Sequence, residues 1–372
     1  MRHSLLTAAL LTALVAGCKA EAPTAPATSS ATATAAASQA DARFAELSKR
    51  WLEGWLPLNP VAATQIGDHR FDAELDDVSA AGRQRALDFS KKLLAELDAI
   101  DAKTLSRENQ VDAAILRNQL RGDIWSTETL QAWAWDPQGY SGLAGSAIYN
   151  LMAREFAPLP ERLKSATARM EKLPALFAQM RAEIVPARVP RIHAETVAKQ
   201  HAGLLSLVDT FITPNADKLQ GEDRARLDAA VAGLRKAVAE HQEWLDKTLV
   251  PNAKGDFRIG QKLYDEKLQF SLNSELTRAD IRQRADAEIE RVRGEMYAVA
   301  RTVLKDKPNA PELPDAPSEG QKQKAIEAAL ELAYAERPAR DKVVEYATQT
   351  TKDATAFVRA KDLVTVPDDP VK

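Results

Sequence analysis

The chain has 372 residues, of which 28% are charged and 45% are hydrophobic, and its formal net charge is −3 at pH 7. A charge this close to neutral, with no basic run interleaved with aromatic residues, argues against nucleic acid as a partner. Cys18 is the only cysteine, so a disulfide-stabilised fold is excluded.

The N-terminal residues have the pattern of an export signal. Arg2 precedes a short apolar run at residues 5–15, and two small residues stand directly before Cys18. This order predicts a signal peptide over residues 1–17, and a cysteine placed just after the cut is typical of a lipidated bacterial lipoprotein. The alternative is a plain secretory signal with a chance cysteine. A membrane span needs ~20 apolar residues, which this run does not reach.

Residues 18–40 are predicted to form a tether behind the lipid anchor. They consist mostly of Ala, Thr, Ser and Pro, a composition that has little to bury and favours a flexible segment. We therefore expect an exported protein held to a membrane through its lipid, in the periplasm or at the outer membrane. Lys19 in second place, rather than Asp, favours the outer membrane by analogy with Gram-negative lipoproteins.

Residues 41–372 predict an all-α domain. The first helical stripe, with apolar residues every three or four positions, consists of Phe44, Leu47, Trp51, Leu52 and Trp55. The longest predicted helix begins at Thr277, which forms a capping pair with Asp280, and ends near Leu304. Its apolar stripe, which we expect to face a core, consists of Ile281, Ala285, Ile289, Val292, Met296, Val299 and Val303.

Other segments interrupt the helical pattern. The Pro-rich stretch 305–320 is a candidate break within the domain, and Leu363–Val366 is the best strand signal. Residues 67–72 and 133–142 do not follow a helical period. The second of these combines aromatics with glycines, which favours either a cleft lining or an aromatic cluster that fills a gap between helices.

The histidines and serines do not form a known catalytic motif. None of the five histidines is followed by Glu, which excludes a His-Glu-x-x-His zinc helix. His193 and His201 are eight positions apart, roughly 12 Å along a helix, so we expect ordinary, partly exposed histidines. His241 has acidic neighbours but no second histidine on its face. The segment around Ser141 resembles the Gly-x-Ser-x-Gly motif of a nucleophile elbow, but Leu143 stands where the final glycine is required.

Acidic pairs such as Asp76–Asp77 are interpreted as solvated surface charges. The residues alone therefore predict no catalytic group and no metal ligand.

A series of short motifs adds information that single residues lack. The first group consists of Asn59–Pro60, the run Gly-Asp-His-Arg-Phe-Asp at residues 67–72, Leu75 and Asp77. The later group consists of Phe257, Gly260, Tyr264, Leu268, Thr277, Glu290, Met296 and residues 363–370. In this order and spacing, the chain resembles the bacterial domain-of-unknown-function 885 family.

The resemblance implies a mostly helical, zincin-like architecture similar to that of helical metallocarboxypeptidases. It also implies a peptidase-like hydrolase, with peptides as candidate ligands. The zinc motif proposed for the family, a histidine–glutamate helix followed by Pro-Gly-His, belongs to its C-terminal half. The sequence reaches Lys372 before such a motif. We therefore expect the N-terminal portion of such a protein, with no cofactor of its own and no catalysis by itself.

The matched motifs also suggest site residues. The resemblance implies that Asp68, His69, Arg70 and Tyr264 face substrate, whereas the alternative is a structural ion pair between Arg70 and Asp72. Three functional hypotheses remain at this point. An enzyme fragment should expose apolar surface for the missing half to cover. A non-catalytic helical binding or scaffold lipoprotein should have a closed, polar surface. A chaperone-like protein should present an open groove.

Overall fold

The all-α class is confirmed. The structure, a computed structural model, describes the backbone of residues 28–368 and the side chains of residues 39–368. It is 78% helical, and no strand occurs among the described residues. A single isolated bridge joins Pro190 to Gly255. Leu363–Val366, the best strand signal, is irregular backbone.

The chain divides into two units. The first ends at Glu275 and the second begins at Leu276. The predicted signal peptide 1–17, Cys18 and the last part of the final matched motif, residues 369–370, lie outside the described residues. Within the part of the chain that the structure describes, no helix is long and apolar enough to cross a membrane.

The first unit consists of helices joined by short turns. They are α1 (Thr28–Leu58), α2 (Pro60–Ile66), α3 (Ala80–Asp98), α4 (Arg107–Trp125), α5 (Pro137–Met152), α6 (Leu159–Glu183), α7 (Arg191–Gln200), α8 (Gly203–Leu207), α9 (Gly221–Trp244), α10 (Val250–Asn252) and α11 (Gln261–Leu272). Wider π-helical turns extend three of them, at Ser126–Leu130, Val208–Ile212 and Leu245–Leu249.

α1 begins earlier than the tether prediction allows. The tether was expected over residues 18–40, but the helix already starts at Thr28. The physical reason is the alanine content of this stretch, since Ala has the highest helix propensity of all residues. A segment with few large apolar residues to bury can therefore still form a helix.

Three clusters of apolar side chains form the interior of the first unit. The largest lies between α5, α6 and α9 and includes Ile148, Leu163, Leu173 and Leu234. Another lies between α1, α3 and α4, and the third surrounds α7. Each fully buried Leu or Ile contributes about 1.5–3 kcal/mol. These clusters therefore hold the connecting segments, which form the site, on a rigid frame.

The second unit consists of α12 (Arg278–Leu304), α13 (Glu319–Ala335) and α14 (Val343–Lys361). The Pro-rich stretch 305–320 connects α12 to α13 inside this unit. It lies against α12, where the Tyr297 hydroxyl donates a hydrogen bond of 2.7 Å to the carbonyl oxygen of Pro314.

The predicted core face of α12 is wrong by one position. The stripe through Met296, Val299 and Val303 is exposed, and the buried residues are Tyr297, Ala300 and Leu304. These pack with Ala325 and Ile326 of α13. One position corresponds to about 100° around a helix. Both stripes have the helical period, so the period alone could not show which one α13 covers.

Candidate functional site

The matched segment 67–72 is a tight turn that follows α2. Gly67 ends that helix with φ of 95°, a left-handed conformation that favours glycine. The Asp68 carboxylate then accepts a hydrogen bond from the backbone amide of Arg70 and caps the short turn His69–Phe71. The sequence order Gly-Asp-His-Arg therefore specifies the local backbone.

Arg169 of α6 holds this turn from inside the protein. Its side chain is completely buried, and its guanidinium donates to the carbonyl oxygens of Glu74 at 2.9 Å and Ala147 at 3.1 Å. It also donates to the Thr64 hydroxyl at 2.6 Å, and that hydroxyl donates to Asp72 at 2.6 Å. One side chain thus joins α2, α5 and α6 to the turn.

The structure places Asp68 and Arg70 on the surface, bound to each other. The Arg70 guanidinium donates to Asp68 at 2.6 Å and to Glu53 at 2.8 Å. The hydrogen bond from Arg70 lowers the pKa of the Asp68 carboxyl. The alternative pair of Arg70 with Asp72 is not formed, because Asp72 bonds to His69 at 3.0 Å.

The other two predicted site residues lie elsewhere. The His69 ring stacks on Phe156 with 3.7 Å between ring centroids. Tyr264 is 50% exposed on α11, a helix that Glu266 fastens to α4 by accepting a 2.6 Å hydrogen bond from the Trp125 indole. Neither residue lines the cleft described next, and a role in substrate binding stays a prediction.

A cleft of about 500 Å³ opens in the first unit. It lies between the start of α3, the end of α1 and the segment that connects α4 to α5. Its lining residues are Pro57, Leu58, Asn59, Leu75, Asp76, Asp77, Val78, Gly82, Arg83, Arg85, Ala86, Ser126, Thr127, Ala132, Trp133, Asp136, Gly139, Tyr140 and Leu143. Segment 133–142 therefore lines a cleft, which is one of its two sequence interpretations.

One wall of the cleft is an ordered cluster around Trp133. The indole N–H donates to the carbonyl oxygen of Thr127 at 3.0 Å, and the Arg83 guanidinium lies 3.7 Å above the ring. Arg83 also donates to Glu183 at 2.7 Å. The Tyr140 hydroxyl donates to the Trp133 carbonyl oxygen at 2.8 Å, and burial together with the Glu183 charge raises the pKa of Tyr140 to about 12. Tyr140 therefore stays neutral.

The neighbouring acids Asp76 and Asp77 have different environments. Asp76 is half-buried and accepts a 3.1 Å hydrogen bond from the backbone amide of Val61. Burial raises the pKa of its carboxyl. Burial acts the same way on Asp77, but hydrogen bonds from Ser79 and Arg85 outweigh it and lower the pKa of that carboxyl. The interpretation of this pair as solvated charges is therefore wrong for Asp76.

Asp136 is the third acidic residue that lines the cleft. Its carboxylate accepts the backbone amide of Gln138 at 3.1 Å and caps α5, which has Pro137 in its first position. Its Oδ1 is also 3.4 Å from Nδ1 of His193. The cleft therefore combines an aromatic and aliphatic wall with fixed charges, an arrangement typical of a ligand-binding site.

Two histidines that the sequence analysis treated separately lie together. His201, expected to be partly exposed, is buried against His241, with 4.8 Å between ring centroids. Arg181 donates to Nδ1 of His241 at 3.1 Å. Since Arg can only donate, Nδ1 must accept this hydrogen bond and has no proton of its own. The His241 ring is therefore neutral. Burial, aided by His201 and Arg181, lowers the pKa of His241 from 6.5 to about 3.

This histidine pair does not fit a zinc ion. Phe177 and Trp244 stack on the His241 ring. The Arg181 cation donates to Nδ1 of that ring, which takes up this nitrogen and puts a positive charge beside the pair. Within residues 39–368, the structure has no group of three or more His, Cys, Asp or Glu side chains placed to hold a metal ion. The histidine pair is therefore interpreted as part of the protein interior.

The sequence profile of the family described as bacterial protein of unknown function, DUF885, matches residues 60–372. The chain belongs to this family. The DUF885 region includes every residue of the cleft from Asp76 onward. No curated protein matches the chain.

A solved structure with a similar fold is also known. It comes from Shewanella oneidensis and is described as a proposed lipoprotein of unknown function. The TM-score is 0.70 at 27% sequence identity, over 87% of this chain and 59% of that chain. This chain therefore spans about three fifths of the neighbour's length.

Sequence reasoning missed the residues that matter most in the cleft. Arg83 belongs to no motif, and Asp76 was treated as surface. The only signal for Asp76 was its position between the matched Leu75 and Asp77. Burial of a charged side chain depends on tertiary packing, which local sequence does not contain.

Proposed function

We propose that this chain forms a substrate-binding part of an exported, lipid-anchored, peptidase-like hydrolase of the DUF885 family, and that it is not catalytic by itself. The observation that carries the proposal is the cleft, with Trp133 and Tyr140 fixed in its wall and charged groups at defined positions. A peptide offers side chains for such a wall and polar backbone groups for such charges.

Anchoring through Cys18 is part of the same proposal. It is supported by the signal-peptide pattern before that cysteine and by the description of the Shewanella oneidensis neighbour as a proposed lipoprotein. The partners proposed for this chain are therefore a membrane, through the lipid, and peptides. The compartment proposed is the periplasm or the outer membrane.

The second unit supports the enzyme-fragment hypothesis over a closed scaffold. Large apolar side chains are exposed on its helices, namely Ile289, Met296, Val299, Val303, Val344, Tyr346 and Phe357. Four of these side chains, Ile289, Met296, Val299 and Val303, share one face of α12, and an exposed apolar face marks an interaction site in soluble proteins. We propose that the complete family fold covers this surface and supplies the zinc and the hydrolytic groups.

Blocking the cleft tests its role. Gly139 lines the cleft on α5, and a Cβ there has no atom within 4 Å, so Gly139→Trp adds a large side chain without a clash at its base. We expect wild type to bind trileucine amide or its N-acetyl form in isothermal titration calorimetry, and Gly139→Trp to bind neither.

Gly233→Trp is the matched control, because Gly233 lies on α9, has equally open space at its Cβ and does not line the cleft. It should bind as wild type does. If wild type binds neither peptide, or if both variants bind as wild type does, the cleft is not the peptide site.

A further inference from the structure

The charged side chains of the cleft differ in whether an oppositely charged side chain of this protein is bound to them. Arg83 donates to Glu183 at 2.7 Å, and Arg85 donates to Asp77 at 2.5 Å. Both arginines therefore have a carboxylate of this chain as a partner. The charge of each arginine is therefore already balanced within this chain, so neither supplies an uncompensated cation to a ligand.

Asp76 differs from Asp77, Arg83 and Arg85, each of which has an oppositely charged side chain within hydrogen-bond distance, and from Asp136, whose Oδ1 lies 3.4 Å from Nδ1 of His193. The hydrogen bond described for its carboxylate comes from the backbone amide of Val61, not from a cationic side chain. Arg169 acts on it only through space, because the Arg169 guanidinium donates to backbone carbonyl oxygens and to Thr64. A carboxylate offers about four acceptor sites, so Asp76 can accept further donors from the cleft.

The surroundings of Asp76 favour a donor that is both cationic and attached to an apolar group. Leu58, Leu75, Val78 and Leu143 line the same cleft, and half-burial of the carboxylate strengthens its attraction for a cation because water screens it less. An ammonium group has three N–H donors. It would satisfy open acceptor sites of Asp76 and offset the cost of burying this charge.

We propose that the cleft binds a primary ammonium group flanked by an apolar side chain, with Asp76 as the carboxylate that receives the ammonium. This inference rests on the proposed function, since it names the chemistry of the peptide that the cleft takes. Either the N-terminus of a peptide or a lysine side chain supplies this group.

Calorimetry with three peptide amides separates these cases. Trileucine amide has an N-terminal ammonium, its N-acetyl form has no cation, and N-acetyl-leucyl-lysyl-leucine amide has only the side-chain ammonium. We expect the full-length protein to bind at least one ammonium peptide about tenfold or more tightly than the acetylated trileucine amide. The tighter of the two ammonium peptides identifies the source.

Asp76→Asn removes the carboxylate but keeps an oxygen that can accept the Val61 amide. We expect it to abolish the preference for the ammonium. Asp98→Asn removes the same charge from an exposed carboxylate outside the cleft, where Arg117 balances it, and should weaken binding by less than about threefold. Circular dichroism verifies that both variants fold, and the wild-type comparison among peptides does not depend on either variant.

The outcomes distinguish the two proposals. A preference for ammonium that Asp76→Asn abolishes and Asp98→Asn retains supports the inference. Equal binding of all three peptides to wild type, or a preference that survives Asp76→Asn, overturns the inference and leaves the peptide cleft intact. Binding of none of the peptides overturns both.

Discussion

At the scale of single residues, Arg169 explains why the matched turn has its sequence. Thr64 and Asp72 form a chain of hydrogen bonds to its guanidinium, and Asp72 in turn bonds to His69. A buried cation is tolerated only when its donors are satisfied. Part of the motif that the sequence analysis assigned to substrate thus has a role in folding as well.

Replacing Arg169 should therefore be costly. We expect Arg169→Met to lower the free energy of unfolding by about 3 kcal/mol or more, because it leaves several buried acceptors without a donor. Urea denaturation measures this. The control is Arg226→Met, which removes an exposed pair with Glu171 and should cost less than about 1 kcal/mol. Equal losses in the two variants would contradict the role assigned to Arg169.

His241 makes the fold sensitive to acid. Its pKa falls from 6.5 to about 3 on folding, so between these values the unfolded chain binds a proton that the folded chain does not. The stability that this group contributes is present above pH 6.5 and is lost as the pH falls. The loss amounts to about 2 kcal/mol at pH 5, and burial lowers the pKa of His201 in the same direction.

Urea denaturation at pH 7 and pH 5 checks this effect. In the variant His241→Phe, the difference in unfolding free energy between the two pH values should be smaller than in wild type by about 2 kcal/mol. An unchanged difference in His241→Phe would show that the histidine does not titrate as described.

At the scale of elements, the apolar period predicts where helices occur but not which face a neighbour covers. On α12, Val299 is 62% exposed and Ala300 is 2% exposed, although they are adjacent. We expect Ala300→Lys to destabilise the second unit by at least about 3 kcal/mol, since it buries a charge without a partner.

The matched variant Val299→Lys should change the free energy of unfolding by no more than about 0.5 kcal/mol. Circular dichroism during urea unfolding measures both variants. A larger loss in Val299→Lys than in Ala300→Lys would mean that the core face is the one that the sequence pattern suggested.

Local signals in the sequence were sufficient for much of the fold. Ser106 caps α4, and Thr277 forms a capping box with Asp280 at the start of α12, as their positions predict. Caps and apolar periods act over a few residues, so a single sequence contains them. The all-α class follows from these signals.

Contacts between residues far apart in the sequence could not be predicted from caps and apolar periods. His201 and His241 meet although 40 positions separate them, and Arg83 meets Glu183 across 100 positions. The cleft consists of such contacts. For residues 133–142, a cleft lining was one of two interpretations of the sequence, and no local pattern pointed to the charged side chains opposite to that segment.

At the scale of the whole molecule, the two units have different surfaces. The first unit has three clusters of buried apolar side chains and carries the cleft. The second has, among its described residues, a small core of five buried apolar side chains and several exposed ones. The cleft of the first unit and the exposed apolar side chains of the second are therefore separate features.

Hydrogen–deuterium exchange with and without saturating trileucine amide tests the central claim most directly. The account predicts that the peptide slows amide exchange in residues 75–86 and 126–143, which line the cleft, because binding suppresses local opening. Unchanged exchange in both segments at saturation, or protection confined to other segments, would contradict the claim that this cleft is the binding site.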